Sequence, residues 1–256
     1  MSLTRSSKFR HRLRAREAII GTFLKTPSAI VAEVVGLSSL GCVCIDAEHA
    51  PFGRLELDAC IAALRAADMP ALVRVQSTTA NEILSALDCG ATGIVAPHIV
   101  TADDARELVR VAHYSTNGRG YAGSSRAARY TNKPMAEHIR DSNATTTVIA
   151  QIEDAAALDH LDAIAAVEGI DCLFIGRMDL TVSLGVASPK DPAVLAAVDQ
   201  ICEIGRRYQK PIGMFFPAGE DIRDWQAKGA SFFLLASDQQ FMIDGARSLA
   251  AKLAAS

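Results

Sequence analysis

Asp46, Glu48 and His49 stand together in IDAEHAP, residues 45–51, directly behind the apolar run CVCI. Burying a carboxylate without partners is costly, so this cluster is either a solvated turn or a site whose chemistry uses those groups. Further polar groups end other apolar runs. Arg74 lies in ALVRV, Gln151 and Glu153 in TVIAQIED, and Gly176, Arg177, Met178 and Asp179 follow CLFI. Glu153 and Asp179 supply two carboxylates, a donor set that suits a hard divalent ion such as Mg2+ or Mn2+, with Co2+ as a third candidate. His49 could add a nitrogen ligand, but a single histidine near two acids is better placed as a general base near neutral pH. Arg74 offers a fixed positive fork for a carboxylate or a developing enolate. A metal and an arginine around a 2-oxo acid form a site for making and stabilising an enolate. No lysine stands at the end of a central strand other than as a helix or loop residue, so a Schiff-base mechanism lacks a nucleophile.

Elements that could position these groups alternate along the chain. Short β-type runs occur at 19–24, 42–45, 71–75, 93–97, 147–152, 172–176, 211–216 and 232–236, separated by amphipathic, Ala- and Leu-rich segments. Eight candidate strands alternating with eight candidate helices favour an α/β fold, a parallel sheet closed as a (β/α)8 TIM barrel. A doubly wound open sheet is the alternative, but no GxGxxG follows the first strand and no Walker loop is present. In a barrel, active sites form at the carboxyl ends of the strands, where all the groups named above fall. Each alone has a bland reading: Arg74 as a salt-bridged strand residue, Glu153 as a helix N-terminal acid, Asp179 as a cap. Their coincidence on one face favours a site.

Composition narrows the class. The 256 residues are 50% hydrophobic and 21% charged, with a formal net charge of -3, as expected of one globular domain spanning 1–256 behind a short basic N-terminal segment. Six Arg and Lys residues precede the first acid, Glu17, so the remainder is acidic, which argues against a nucleic-acid partner. That basic start could be a transit peptide, yet it runs without a break into a spacing that suits a short helix leading into a strand. No run approaches the ~18 apolar residues a membrane span needs, and no secretory core is present, so a cytoplasmic enzyme is expected. Six cysteines lack CxxC or zinc-finger spacing and read as buried reduced thiols. The rhythm breaks between His98 and Thr146, where a helix is followed by the polar segment HYSTNGRGYAGSSRAARYTNKP. Its Arg119, Arg126 and Arg129, interleaved with Tyr121 and Tyr130, suit an anionic ligand or a neighbouring subunit.

Taken together, KFRHRLRARE, GTFLKTPSAIVAEVVG, IDAEHAP, VRV, LDCGATGIVAPHIVTADDAREL, RGYAGSSRAARY, QIED and FIGRMDLTVSLG resemble the metal-dependent 2-oxo acid aldolases grouped with the citrate lyase beta family. The resemblance covers nearly the whole chain. It implies a phosphoenolpyruvate/pyruvate-type barrel with a swapped C-terminal helix, dimers assembling into a homo-hexamer, and reversible aldol cleavage that releases pyruvate from a 2-oxo acid substrate. It further implies His49 as base, Arg74 as the group stabilising the transition state, Glu153 and Asp179 as metal ligands, and Gln151 against pyruvate. The backbone from Gly176 to Met178 would receive the substrate carboxylate. Asp88 matches an aspartate that raises the basicity of the histidine. Its place at a helix end suggests supply by a neighbouring subunit, the alternative being an ordinary helix C-terminal acid.

The chain departs from that pattern in two places. Arg177 and Met178 stand where Pro-Ala is usual, and the GxRGxG loop reads NGRGYAG with Tyr121 introduced. Asp46, Glu48, Arg177 and Arg119 are therefore expected as supporting or loop residues of the site. Rival readings are a lyase of acyl-CoA thioesters or an oxaloacetate-type decarboxylase using the same enolate, and a non-catalytic barrel that binds a metal or ligand.

Overall fold

The computed structural model describes residues 4–217 and 222–254. Eight parallel strands close into a barrel in sequential order. They are β1 (Ile19–Leu24), β2 (Cys42–Asp46), β3 (Ala71–Arg74), β4 (Gly93–Ala96), β5 (Thr147–Ile152), β6 (Cys172–Ile175), β7 (Ile212–Phe216) and β8 (Ala230–Ser237). Every expected strand is present within two residues at either end.

Helices wrap the barrel in the order α1 (Arg5–Arg14), α2 (Ala29–Gly36), α3 (Arg54–Ala66), α4 (Ala80–Asp88), α5 (Ala102–Ala112) and α6 (Met135–Thr145). After β5 come a 3-10 turn (Ala155–His160), α7 (Leu161–Ala165), α8 (Arg177–Ser183), α9 (Pro192–Arg207), α10 (Arg223–Ala227) and α11 (Asp238–Ala254). Three helices depart from the expected pattern, one of them α8, which forms at Arg177–Ser183 where no helix was expected. α6 follows the polar segment where no helix was expected, because MAEHIRDSNAT buries only His138 and so carries no apolar stripe. The helix expected over AGEDIRDWQAKGA begins in residues 218–221, which lie outside the described residues; its remainder forms α10. Among the described residues no helix is long and apolar enough to cross a membrane.

Strand periodicity sorts the side chains into two cores. Val43, Ile45, Val73, Ile94, Val148, Leu173 and Met214 face the helices. Cys44, Leu72, Val95, Ile149, Phe174, Phe232 and Leu234 fill the lumen. The same parity carries Asp46, Arg74 and Gln151 inward at the carboxyl end, one step above the last apolar lumen residue of each strand.

The amino end of the lumen is stoppered by α1, whose Phe9 and Leu13 are fully buried among those lumen residues. Its basic residues answer acids and carbonyls that precede the strands. Arg10 donates through Nε to both oxygens of Asp171 at 3.0 Å and through Nη1 to the Asn143 carbonyl at 2.8 Å, while the Arg5 amide donates to Asp68. The six cysteines are buried and unpaired. Burial pushes the Cys42 thiol up to about 12, so it is inert at neutral pH.

Because Phe9 plugs the lumen edge-to-face against Phe232, Phe9→Ala should destabilise the barrel by about 3–5 kcal/mol, measured by denaturant unfolding. An exposed control such as Lys8→Ala should shift it by no more than about 0.5 kcal/mol.

Candidate active site

β2 and β3 run in register with Asp46 directly opposite Arg74. Both side chains turn inward, so the pair forms a fork: Arg74 Nε donates to Asp46 Oδ1 at 2.9 Å and Nη2 to Oδ2 at 2.8 Å. Asp46 is fully buried and also accepts from the His49 amide, while Lys25 Nζ lies 3.3 Å from its Oδ2. Burial opposes the charge on Asp46, but the Arg74 bonds outweigh it and hold the carboxyl below its usual range. Burial likewise opposes the Arg74 charge, and Asp46 overcomes it and raises the guanidinium further. The guanidinium lies 4.7 Å from the Phe23 ring centre.

Beyond this fork the turn after β2 places Glu48 and His49. Glu48 is nine-tenths buried, with Oε2 3.3 Å from Arg74 Nε, and that oxygen has no hydrogen-bond partner. Burial raises its proton affinity. The His49 ring is about half exposed at the mouth, with Nε2 3.8 Å from Glu48 Oε2. Across the lumen Gln151 and Glu153 are buried on the extension of β5, and the Gln151 amide nitrogen donates to Glu153 Oε2. Burial raises the proton affinity of Glu153, and the nearby charge of Asp179 adds to it.

Gly176 lies next to Glu153 because β5 and β6 pair Ile152 with Ile175. A Cβ on Gly176 would come within 2.7 Å of Glu153 Cβ and Oε2, so no side chain fits. The Gly176 amide donates to the Ile152 carbonyl. The expectation that this amide receives a carboxylate is therefore corrected: Gly176 supplies space, and the next amides along the turn are those that open α8, at Arg177 and Met178.

These groups surround a cavity of about 590 Å3 lined by Lys25, His49, Arg74, Gln151, Gly176, Arg177, Met178, Asp179 and Lys190 over a floor of Phe23, Phe174 and Phe215. Three of its neighbours escaped sequence reasoning. Lys25 is the loop residue directly after β1, and its ion pair with Asp46 makes it a fixed charge. His98 follows β4 in the left-handed region at φ 55°, its amide donating to Glu153 Oε1 at 2.9 Å. Asp154 lies 3.0 Å from His98 Nδ1 and raises the basicity of that ring. Position was the available signal, since each lies within two residues of a strand's carboxyl end.

The donor set fits a divalent ion. Glu48, His98 and Glu153 bring one potential ligand atom each to within 4.8 Å of one another, and the buried Glu48 Oε2 and Gln151 Oε1 lack hydrogen-bond partners. Asp179 lines the same cavity but is not among those three residues.

Asp88 and Arg119 lie elsewhere in this chain. Asp88 ends α4, at the amino end of the barrel, where Arg119 Nη2 donates to its Oδ1 at 2.5 Å. Arg126 is spent on Asp58. Arg129 lines a polar groove of about 400 Å3 with Arg65 and Lys133. The polar segment thus serves the opposite end of its own barrel.

Comparison with known proteins follows the same lines. A family model described as HpcH/HpaI aldolase/citrate lyase matches residues 19–245. A 5-keto-4-deoxy-D-glucarate aldolase of Shigella boydii is 32% identical over 91% of this chain and 90% of its own length. The crystal structure of an HpcH/HpaI aldolase/citrate lyase family protein from Burkholderia cenocepacia is 30% identical, with TM-score 0.91 over 96% of this chain and 99% of that one. The citrate synthase SbnG is 31% identical, with TM-score 0.83 over 96% of both chains.

The Asp46 carboxyl is held below its unfolded value, so its contribution to stability is present above about pH 4 and lost as pH falls through the depressed value. Asp46→Asn should destabilise the protein by about 3–5 kcal/mol at pH 7. The gap to wild type should narrow only in acid; a gap that is the same at pH 7 and pH 3 would count against the paired charge.

Proposed function

The chain belongs to the HpcH/HpaI aldolase/citrate lyase family, and from that premise we propose that it is a divalent-metal-dependent aldolase that reversibly cleaves a 4-hydroxy-2-oxo acid to pyruvate and an aldehyde. The observation that carries this reading is the convergence of Arg74, His49, Gln151, Glu153 and Asp179 on one end of one barrel, around one cavity.

Glu153 and Asp179 would hold a divalent ion, which supplies Lewis-acid stabilisation of negative charge on the 2-oxo group. Arg74 keeps a permanent positive charge beside the cavity because Asp46 fixes its fork, so no reorganisation is needed as charge develops. Lys25 and the first amides of α8 suit the 1-carboxylate, and the aromatic floor supports the carbon chain. His49, its ring about half exposed at the mouth, accepts the proton of the 4-hydroxyl. As the bond between carbons 3 and 4 breaks, its electron pair passes to the pyruvate half as an enolate, and the hydroxyl carbon leaves as the aldehyde. Proton transfer at carbon 3 completes pyruvate, and the reverse sequence makes the aldol.

Arg177 and Lys190 on the cavity wall suit an acceptor with its own anionic group, and an acid such as the 5-keto-4-deoxy-D-glucarate in the relative's name fits that arrangement. The remaining features of the proposal are Mg2+, Mn2+ or Co2+ as the ion, dimers assembled into a hexamer with a swapped C-terminal helix, and a cytoplasmic location. Exposed Phe241, Met242 and Ile243 on α11 support assembly, as does the distance of Asp88 from its own cavity.

The test is proton NMR of pyruvate in D2O. The methyl signal should fade with protein and Mn2+ or Mg2+ and persist after EDTA; persistence with every ion would sink the reading. His49→Ala should cut turnover by about 10²- to 10⁴-fold while leaving metal affinity within about threefold. Arg177→Ala should raise KM for carboxylated aldehydes and leave neutral aldehydes unaffected.

A further inference from the structure

We propose that the polar groove at the amino end of the barrel binds a small oxyanionic ligand, its phosphate or carboxylate group gripped by Arg65 and Arg129. The groove shares no residue with the cavity at the carboxyl ends of the strands. It opens between α1, the last turns of α3 and α4, the polar segment and α6, and its volume of about 400 Å3 admits a small metabolite.

Three observations carry the inference, of which the first is charge. Arg65, Arg119, Arg129 and Lys133 line the groove against two acids, Asp68 and Asp141. Both acids are already answered. Asp68 accepts from the Arg5 amide through both oxygens, and Asp141 lies 2.8 Å from Lys133. The acids just outside are occupied too, Asp88 by Arg119 and Asp58 by Arg126. Among the described residues the side chains of Arg65 and Arg129 make no hydrogen bond or ion pair. Partial burial, with the nearby charges of Arg126 and Arg129, holds the proton affinity of Arg65 below its usual value. An anion supplied from outside relieves that repulsion, and the parallel donors of a guanidinium match two oxygens of a phosphate or carboxylate.

The second observation is Arg119. Its side chain is 1% exposed and Nη2 is taken by Asp88, yet the buried Nε has no hydrogen-bond partner. A buried donor without an acceptor is costly, and this residue lines the groove.

The third is the backbone on either side. Gly90, at φ 94°, closes α4, and a Cβ there would stand 2.3 Å from Arg65 Nη1, so the guanidinium occupies space that only a glycine leaves. Opposite, Arg129, Tyr130 and Thr131 run through the left-handed region at φ 55°, 52° and 72°. Consecutive non-glycine residues in that region persist where surrounding contacts demand them. Here they turn the chain so that Arg129 reaches the groove.

Isothermal titration of the whole protein with inorganic phosphate and with succinate, at constant ionic strength, tests the site. Wild type should bind at least one of them. Arg65→Gln and Arg129→Asn should each weaken that binding about tenfold or more, as loss of a charged hydrogen bond requires. Asparagine suits the left-handed backbone at 129. Binding of phosphate alone assigns a phosphate-bearing ligand, and binding of succinate alone a carboxylate; either supports the site. No binding of either anion overturns the proposal. So does binding that both variants retain within about twofold, and its loss in Arg177→Ala instead would place the anion in the carboxyl-end cavity. Should a variant misfold, phenylglyoxal labelling of the wild type, read by peptide mass, takes its place. The anion should then slow modification of Arg65 and Arg129 and leave the exposed Arg16 unchanged; equal labelling with and without it sinks the proposal.

Discussion

The fork between Arg74 and Asp46 is the interaction on which the rest of the cavity depends. Two adjacent parallel strands in register present opposite charges at the same height in the lumen, just above the last apolar layer. Either charge alone at that depth would be strongly unfavourable, and together they make two well-directed bonds that satisfy each other. Asp46 then has capacity left for the His49 amide and for Lys25. The turn after β2, the lysine after β1 and Arg74 are thus all referred to one buried carboxylate. A site that must stabilise developing negative charge needs a positive group that does not move when the charge appears, and this pair supplies it.

The opposite end of the barrel is finished by different means. α1 seals the lumen with Phe9 and Leu13, and its arginines reach Asp171 and the carbonyls that precede β5. The basic start of the chain, ambiguous in sequence between an address and a helix, is in this structure a stopper whose charges fit the acids at the strand entrances. A rigid base and a rigid fork at the mouth leave the turns between them to hold the groups that meet substrate.

Legibility in the sequence divided along a physical line. Strand positions were readable because the runs between Ile19 and Ser237 are short, β-branched or aromatic, and separated by amphipathic segments. Arg74 and Gln151 were readable because charge or amide in an apolar run is itself anomalous, and Glu153 because it directly follows Gln151 and Ile152. Lys25 and His98 were not, since each stands one or two residues past its run, where polar residues are expected and carry no signal. What makes them part of the site is the closing of the barrel, which brings β4 beside β5 and β1 beside β2. α6 was hidden for the opposite reason: it has so little apolar face that only its place in the fold gives it a helix's environment.

The chain is about 30% identical both to an aldolase and to a citrate synthase. An enolate formed from a 2-oxo acid can be partnered with different electrophiles, and the groups that make it differ from those that admit the partner. In this chain Arg74 and Gln151 lie deep and are fixed by register, and Gln151 holds Glu153 just beyond β5. The turn opening α8 and the segment before α9 bring Arg177, Met178 and Lys190 to the outer wall. Register-fixed groups cannot shift without breaking a strand pair, whereas turn residues can change with little effect on the barrel. The outer wall is therefore the part of the cavity that can change while the barrel stays intact, and here it carries two cationic side chains, Arg177 and Lys190.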